Sequence, residues 1–315
     1  MIRYIGRRLL LIIPVVIGVS LLIFLLMNMA QGDVTATILS DRATETEREA
    51  LREELGLNRP ILVQYLDYVW GMLHGDLGES YLTGESVMKT YLSKLPNTAM
   101  LASLAMLFGI ITGVPLGVFA ATHQNTWKDT ACVGATLVGQ SMPDFWFGLM
   151  IMYLFSLTLG WLPSSGFEDG WKSLILPVLT VGMGLNASLA RMTRSAMLDV
   201  LRQDYLRTAR SKGVKERIVI YSHAFRNALI PIVTVIGSSF GRCLGGSVVT
   251  EAVFSWPGVG KYIMDGVNNR DIPVVTGGIV MTTLLLSLVL LVVDLIYAYL
   301  DPRIKAQYMR GGRGK

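Results

Sequence analysis

Six stretches of this chain are too apolar and too long for an ordinary water-soluble fold. No charged residue occurs between Arg8 and Asp33, Lys94 and Lys128, Asp144 and Glu168, Lys172 and Arg191, or Asp271 and Asp294. Between Arg226 and Glu251 the sole charge is Arg242. A helix needs about 20 predominantly apolar residues to cross the hydrocarbon of a bilayer. Helices buried in a soluble protein carry apolar runs of about 10–14 residues instead. The chain is therefore expected to be an all-α integral membrane protein with six transmembrane helices. Its composition agrees, since 52% of the 315 residues are hydrophobic and 16% charged, against about a quarter charged in soluble domains.

The expected spans are Leu9–Met29, Thr98–Ala121, a third in the region 130–162, Leu174–Ala190, Ala228–Val249 and Pro273–Val293. The first follows Arg3, Arg7 and Arg8, as a signal peptide would. Its apolar run exceeds the 7–15 residues of a signal core, however, and no small-residue cleavage site follows. It reads as a retained span. The third is open in the sequence. It starts near Asp144, or a longer helix kinked at Pro143 begins near Thr130.

The charges suggest an orientation. With the N-terminus in the cytoplasm, 18 of the 28 lysines and arginines fall in inside segments and nine outside. That bias follows the positive-inside rule, and six spans then put both termini in the cytoplasm. The net charge of +5 is thus a topology signal matched to anionic lipid, and no nucleic-acid partner is expected. Cys132 and Cys243 lie in or beside apolar windows and read as small membrane residues rather than a disulfide. His74, His123 and His223 are scattered over both sides, so no metal-ligand set is expected. No serine-hydrolase arrangement and no Gly-x4-Gly-Lys-Ser/Thr phosphate loop is present, so the chain is expected not to be an enzyme.

Three regions are expected. Residues 1–95 hold the first span and an exterior helical insert. Residues 96–306 hold a five-helix core with a cytoplasmic loop at about 191–226. Residues 307–315 form a basic tail. In the insert, Thr44-Glu-Thr-Glu47 reads as a capping box opening a helix that runs to about Leu55, with Gly56 as its stop. Pro60 suits the first position of a second helix. There Leu62, Tyr65, Leu66, Val69, Trp70 and Leu73 form one apolar stripe, which must pack on the spans or on a partner.

The loop is the most unusual feature. Asp204-Tyr-Leu-Arg-Thr-Ala-Arg-Ser-Lys-Gly213 reads as a short basic helix stopped by glycine. Leu198, Leu201 and Tyr205 are expected on one face, with Leu206 and Ala209 beside it and the cations elsewhere. Lying between apolar spans, it has no lipid to bury, so it reads as a surface for another protein or as a solvated loop.

Here the chain resembles a known family. Tyr205–Gly213 followed by His223-Ala-Phe-Arg-Asn-Ala-Leu-Ile-Pro231 is similar to the coupling loop of ABC-importer permeases, more narrowly the dipeptide, oligopeptide and nickel group. Ile2–Leu9, Glu54-Leu-Gly-Leu57, Gly75-Asp-Leu-Gly78, Leu95-Pro-Asn-Thr98, Ser141–Trp146, Arg191-Met-Thr-Arg-Ser195, Glu251–Gly260 and Asp301-Pro-Arg303 also resemble that group. Two departures stand out. Only Ala209 and Gly213 match the general coupling pattern literally, and Ala30-Gln-Gly-Asp-Val34 replaces the usual Pro-Gly-Asp-Pro.

The resemblance implies a type I ABC-importer permease architecture in a bacterial or archaeal cytoplasmic membrane. It implies a second homologous permease subunit, two cytoplasmic ATP-binding subunits and an exterior solute-binding protein. This chain would bind no cofactor, and ATP and Mg would sit on the partner ATPases. Tyr205, Leu206, Arg207, Thr208, Ala209, Arg210, Lys212 and Gly213 would couple to those ATPases. Peptide is the expected solute, with nickel or another metal chelate as the alternative. A secondary transporter or channel is the remaining class, and it would need inverted repeats and ionisable relays in several spans.

Arg242, Asp144, Ser238 and Ser239 are the candidates for the pathway. A charge within a span is costly against lipid, so Arg242 is expected to pair with Asp144, to meet a solute carboxylate, or to face the second permease.

Overall fold

The computed structural model describes residues 2–29, 34–39 and 43–300, except the side chains of residues 2–4, 242, 246 and 296–300. The Ala30–Asp33 turn, the Asp301-Pro-Arg303 motif and the tail 307–315 lie outside the described residues, as does the Arg242 side chain. In chain order the helices are α1 (Ile2–Met29), α2 (Val34–Ile38), α3 (Glu45–Glu54), α4 (Ile61–Leu73), α5 (Val87–Thr122), α6 (Trp127–Ser141) and α7 (Asp144–Met152). They continue as α8 (Lys172–Leu201), α9 (Asp204–Ser211), α10 (Glu216–Ile218), α11 (Phe225–Gly246), α12 (Val248–Val253), α13 (Val259–Asn269) and α14 (Ile272–Leu300). The chain divides into two compact units, residues 1–98 with 257–291 and residues 99–256 with 292–315.

Five helical stretches among the described residues are long and apolar enough to cross a bilayer: Ile5–Met29, Val87–Thr122, Lys172–Leu201, Glu216–Gly245 and Ile272–Leu295. The expected third span is not a sixth of the same kind. Met142 and Pro143 hold extended backbone, with ψ of 131° and 134°. Proline disfavours helical geometry in the residue before it, so the chain breaks here into α6 and α7 rather than kinking. Helix α7 runs on through a π-helical stretch, Tyr153–Thr158. The apolar helix Asp144–Thr158 then reaches about 22 Å at 1.5 Å per residue, short of a hydrocarbon core of about 30 Å.

In the first unit, Thr44 caps α3 as a full capping box, with the Glu47 N–H donating to Thr44 Oγ1 at 3.3 Å and the Thr44 N–H to Glu47 Oε2 at 2.8 Å. Those Thr44 hydrogen bonds, the backbone one first, hold the Glu47 carboxyl below its ordinary value. Gly56 takes φ +69° just past the helix end, and Pro60 occupies the cap position before α4. The stripe on α4 divides. Tyr65 is buried on α1, its hydroxyl donating to the Ile17 carbonyl at 3.1 Å and lying 3.0 Å from Ser20 Oγ. Leu62, Leu66, Trp70 and Leu73 stay exposed, so among the described residues most of the stripe is left uncovered.

Two of the sequence blocks noted above bond to each other in this unit. Asn97 Nδ2 donates to the Pro257 carbonyl at 2.9 Å, and the Val259 N–H donates to Thr98 Oγ1 at 2.8 Å. Buried Asp271 accepts from Ser80 Oγ at 2.6 Å and the Tyr81 N–H at 3.3 Å. It thereby ties the turn before α5 to the start of α14.

The second unit is organised on α8, which packs against α6, α7, α11 and α12. It also crosses α5 at very short range. Gly109, Gly113 and Gly117 recur every fourth residue and so share one face of α5. A Cβ built on Gly109 would lie 2.8 Å from the Leu185 side chain, on Gly113 2.7 Å from the Asn186 carbonyl, and on Gly117 2.4 Å from the Ala190 carbonyl. From the other side, a Cβ on Gly182 would lie 2.6 Å from the Phe108 ring. Small residues at such crossings let backbones approach where no hydrophobic driving force acts between helices in lipid. An Asn186–Thr112 side-chain hydrogen bond closes the same seam.

Gly117→Ala should therefore lower the midpoint of a detergent thermal melt, with an overpacking cost of about 1–3 kcal/mol. Gly134→Ala on α6, where nothing lies within 4 Å of the added methyl, should leave the midpoint unchanged or raise it.

Candidate functional site

The loop after α8 folds into a separate short helix. Helix α8 ends at Leu201, Gln203 is extended with ψ 143°, and α9 begins at Asp204. Because the chain turns there, Leu198, Leu201 and Tyr205 do not form the continuous face expected of them. The side chain that roots α9 is Leu206, which is fully buried among Met197 of α8, Val219, Ala224, and Ala228 and Ile232 of α11, with Val118 of α5 in the same cluster. Leu198, Leu201 and Ala209 pack around it partly buried. One leucine thus joins α9 to the ends of three long helices.

The rest of α9 faces outward. Tyr205 is exposed, and its hydroxyl accepts from Asn227 Nδ2 at 2.8 Å. Arg207, Thr208, Arg210, Lys212 and Gly213 are exposed as well. Arg210 grips Glu216 with Nη2–Oε1 at 2.9 Å and Nε–Oε2 at 3.1 Å, and those hydrogen bonds raise its guanidinium pKa further. Gly213 holds φ +76°, a left-handed value that favours glycine at a helix end. The pair and the glycine close the loop on itself and leave Arg207 and Lys212 on the open face.

A second anchor sits two turns before the end of α8. Arg194 holds Asp129 bidentately, both N–O distances being 2.7 Å, and Asp129 is 4% exposed. The Asn125 N–H donates to the same carboxylate at 3.2 Å. Bidentate arginine–carboxylate pairs fix geometry as well as charge, so the turn before α6 is locked to α8.

The break between α6 and α7 opens on a cavity of about 330 Å³, lined by Gln140, Asp144, Gly184, Ser188, Ser239 and Cys243 among others. Asp144 lies beside Gly184, near the middle of α8, where an added Cβ would sit 3.5 Å from Asp144 Oδ1. Gln140 is hydrogen-bonded by Arg191. Of the four pathway candidates the structure brings Asp144 and Ser239 together. Ser238 turns away, exposed, and donates to the Val235 carbonyl at 3.1 Å. Arg242 stands on α11 one residue before Cys243, and its pairing with Asp144 lies outside the described residues.

Residues 113–306 match the family described as binding-protein-dependent transport system inner membrane component, and residues 1–102 match the N-terminal domain of the same components. The chain belongs to this family. Among curated proteins it is 42% identical to the dipeptide transport system permease protein DppB of Alkalihalophilus pseudofirmus, over 97% of this chain and 100% of the relative. It is 42% identical to the di/tripeptide transport system permease protein DppB of Pseudomonas aeruginosa, over 98% and 100%. The dipeptide permease protein DppB of Escherichia coli K12 is 40% identical over 97% and 99%. Among solved structures, a chain of the MetNI methionine ABC transporter in an inward-facing conformation superposes with TM-score 0.58 at 17% identity, covering 68% of this chain and 97% of that one. A chain of an amino acid ABC transporter gives 0.55 at 15%, covering 67% and 94%. This inner membrane component thus shares the fold of ABC-transporter membrane chains and is a multi-pass membrane protein.

Sequence reading missed several residues of this component's site. Gln140 and Ser188 sit in apolar windows and carry no charge to draw notice. Asp129 belongs to no motif quoted above, and its partner Arg194 is 65 residues away. Leu206 is expected beside the face rather than as its anchor, because that face runs from Leu198 and Leu201 to Tyr205 across the turn at Gln203.

Leu206→Ala should cost about 2–5 kcal/mol locally, as truncating a buried leucine does. Amide hydrogen exchange over residues 204–211, read by mass spectrometry, should speed up at least about tenfold. Arg207→Ala on the open face should leave that exchange unchanged.

Proposed function

We propose that this chain is the permease subunit of a binding-protein-dependent ABC importer, lining half of a translocation pathway for peptides and catalysing no reaction itself. The observation that carries the reading is the mounting of α9. A short helix rooted by one leucine where three long helices end, with its other side open, is built to receive a push and pass it on. The peptide names of the full-length relatives support peptide over a metal chelate as the solute. The match to binding-protein-dependent transport components favours a multi-subunit machine over a self-sufficient transporter or channel.

On this reading two ATP-binding subunits supply the work, with ATP and Mg bound on them and not on this chain. One docks on Tyr205, Arg207, Thr208 and Lys212. Tyrosine and arginine are the residues that most often anchor such contacts. Arg210 and Gly213 hold the shape of the docking surface, while Leu206 and Ala209 transmit its displacement into α8 and α11. Nucleotide-dependent closure of the ATPases then biases the pathway between its two accesses, to the extent that they bind the two states unequally. A second, homologous permease completes the pathway, and an exterior solute-binding protein delivers the peptide. The excess of Lys and Arg on the α9 side supports placing that side, and both termini, in the cytoplasm.

Asp144, Gln140, Ser188 and Ser239 form the polar wall of this half of the pathway, and Arg242 on α11 is assigned to the same region. Their groups suit the backbone amides and charged ends of a short peptide, which offers both donors and acceptors.

The test is reconstitution. Proteoliposomes holding this chain with its co-purifying permease, ATPases and binding protein should accumulate a dipeptide only with ATP inside. Liposomes holding the chain alone should accumulate none, and uptake by the lone chain would overturn the reading. In the full assembly, Tyr205→Ala and Arg207→Ala should each weaken ATPase binding by about tenfold without lowering the amount of folded permease.

A further inference from the structure

We infer that α4 lies within the leaflet on the insert side of the membrane, with its outward apolar face on lipid acyl chains. The insert is thus wedged into the bilayer rather than standing clear of it. Depth is the first argument. Helices α1 and α14 run side by side: Val16 shares a cluster with Val274 and Val280, and Leu11, Ile12 and Val15 share a cavity with Ser287, Leu290 and Leu291. One helix therefore descends as the other rises. The point where Tyr65 reaches α1, between Ile17 and Ser20, then lies level with the stretch of α14 between Val280 and its start at Ile272. That is within about 12 Å of the helix end. The charge-free run of α14 between Asp271 and Asp294 is about 33 Å long and fills a hydrocarbon core of about 30 Å. The Tyr65 contact accordingly falls inside the core, in one leaflet.

The second argument is how the faces of α4 are arranged. Tyr65, Tyr68 and Met72 turn toward α1, and both tyrosine rings lie against Phe24, at centroid distances of 5.5 and 6.4 Å. Leu62, Leu66, Trp70 and Leu73 turn outward and are 72, 64, 67 and 68% exposed. The remaining arc is polar. Gln64 there donates to the carbonyls of Leu57 and Arg59, and Asp67 pairs with Arg59 at 3.3 Å. A helix with one wide apolar arc and one polar arc is the form that lies in a membrane interface, sunk about 5–10 Å.

The third argument is continuity. Leu21 and Leu25 of α1, next to the contact, are exposed as well, and on a spanning helix that exposure is to lipid. The outward face of α4 extends the same surface at the same depth. Trp70 packs tilted against His74 at the end of the helix, and tryptophan favours the boundary between acyl chains and headgroups.

The test uses the full-length chain with whatever subunits co-purify with it, reconstituted in bilayers, with Cys132 and Cys243 replaced by serine. Single nitroxide labels are placed at Leu62, Leu66, Trp70, Leu73 and Asp67 through cysteine substitutions. At the first four, collision with oxygen should exceed collision with a water-soluble nickel chelate several-fold, and at Asp67 the order should reverse. Chelate dominating at all four would mean an aqueous face and overturn the inference. Exclusion of both reagents would mean a protein cover, from the binding protein or a second permease, and would overturn it equally. An unlabelled measurement stands beside it. Trp70→Phe should remove a share of the fluorescence that brominated lipid quenches in the wild type, and an unchanged quenched share would also overturn the inference.

Discussion

The second unit depends on the near-contact of two backbones. Along the seam between α5 and α8, three glycines on one helix and Gly182 on the other leave no room for a Cβ. Helices in lipid gain little from burying apolar side chains, because the alternative environment is equally apolar. What remains is dispersion between closely packed atoms, which falls off steeply with distance. A seam this tight is therefore a fixed axis. Helix α8 cannot slide or rotate on α5 without losing contacts over several turns.

Everything that looks functional in that unit hangs from α8 at increasing distance along it. Gly184 and Ser188 lie on the cavity, Arg191 reaches Gln140, Arg194 holds Asp129, and Met197 shares a buried cluster with Leu206. On the proposed reading, a displacement of α9 would enter this column at its last two turns. The Asp129–Arg194 pair would be the first rigid element it meets, linking it to the turn before α6. The cavity lies at the far end of both α6 and the column. A stiff helix with a bidentate clamp conveys such a movement better than a chain of soft apolar contacts, since packed interfaces tend to switch between discrete arrangements.

Features set by the chain's local chemistry were legible in the sequence. The Thr44–Glu47 capping box, the positive-φ stops at Gly56 and Gly213, and the charge-free windows each require only neighbours along the chain. Features that need a second helix were not. The spacing of Gly109, Gly113 and Gly117 is visible in the sequence, but the face it marks has meaning only once α8 lies on it. The stripe on α4 has the right periodicity, yet periodicity cannot divide one apolar arc into a part that meets α1 and a part that does not. Leu206 was misplaced for a related reason. A helical wheel drawn through Arg202 and Gln203 carries the α8 frame into α9, while the extended Gln203 resets it.

The break at Met142 and Pro143 shows what a single chain leaves unfinished. Where α6 stops and α7 starts, the last carbonyls of one helix and the first N–H groups of the other have no intrahelical partners. Unsatisfied backbone in hydrocarbon costs several kcal/mol per group, so non-helical backbone at membrane depth persists only against protein or water. Here it borders a polar cavity holding a carboxylate, an amide and hydroxyls. Left to lipid, that wall would be costly twice over, in the helix ends and in Asp144 itself. The cost disappears if a second polar surface covers the wall and water or solute fills the gap between them. The same reasoning explains why the broken helix is the short one: α7 with its π-helical continuation need not cross alone if its open end faces a channel rather than a bilayer. A polar surface or water facing this wall is thus the arrangement that makes this backbone tolerable.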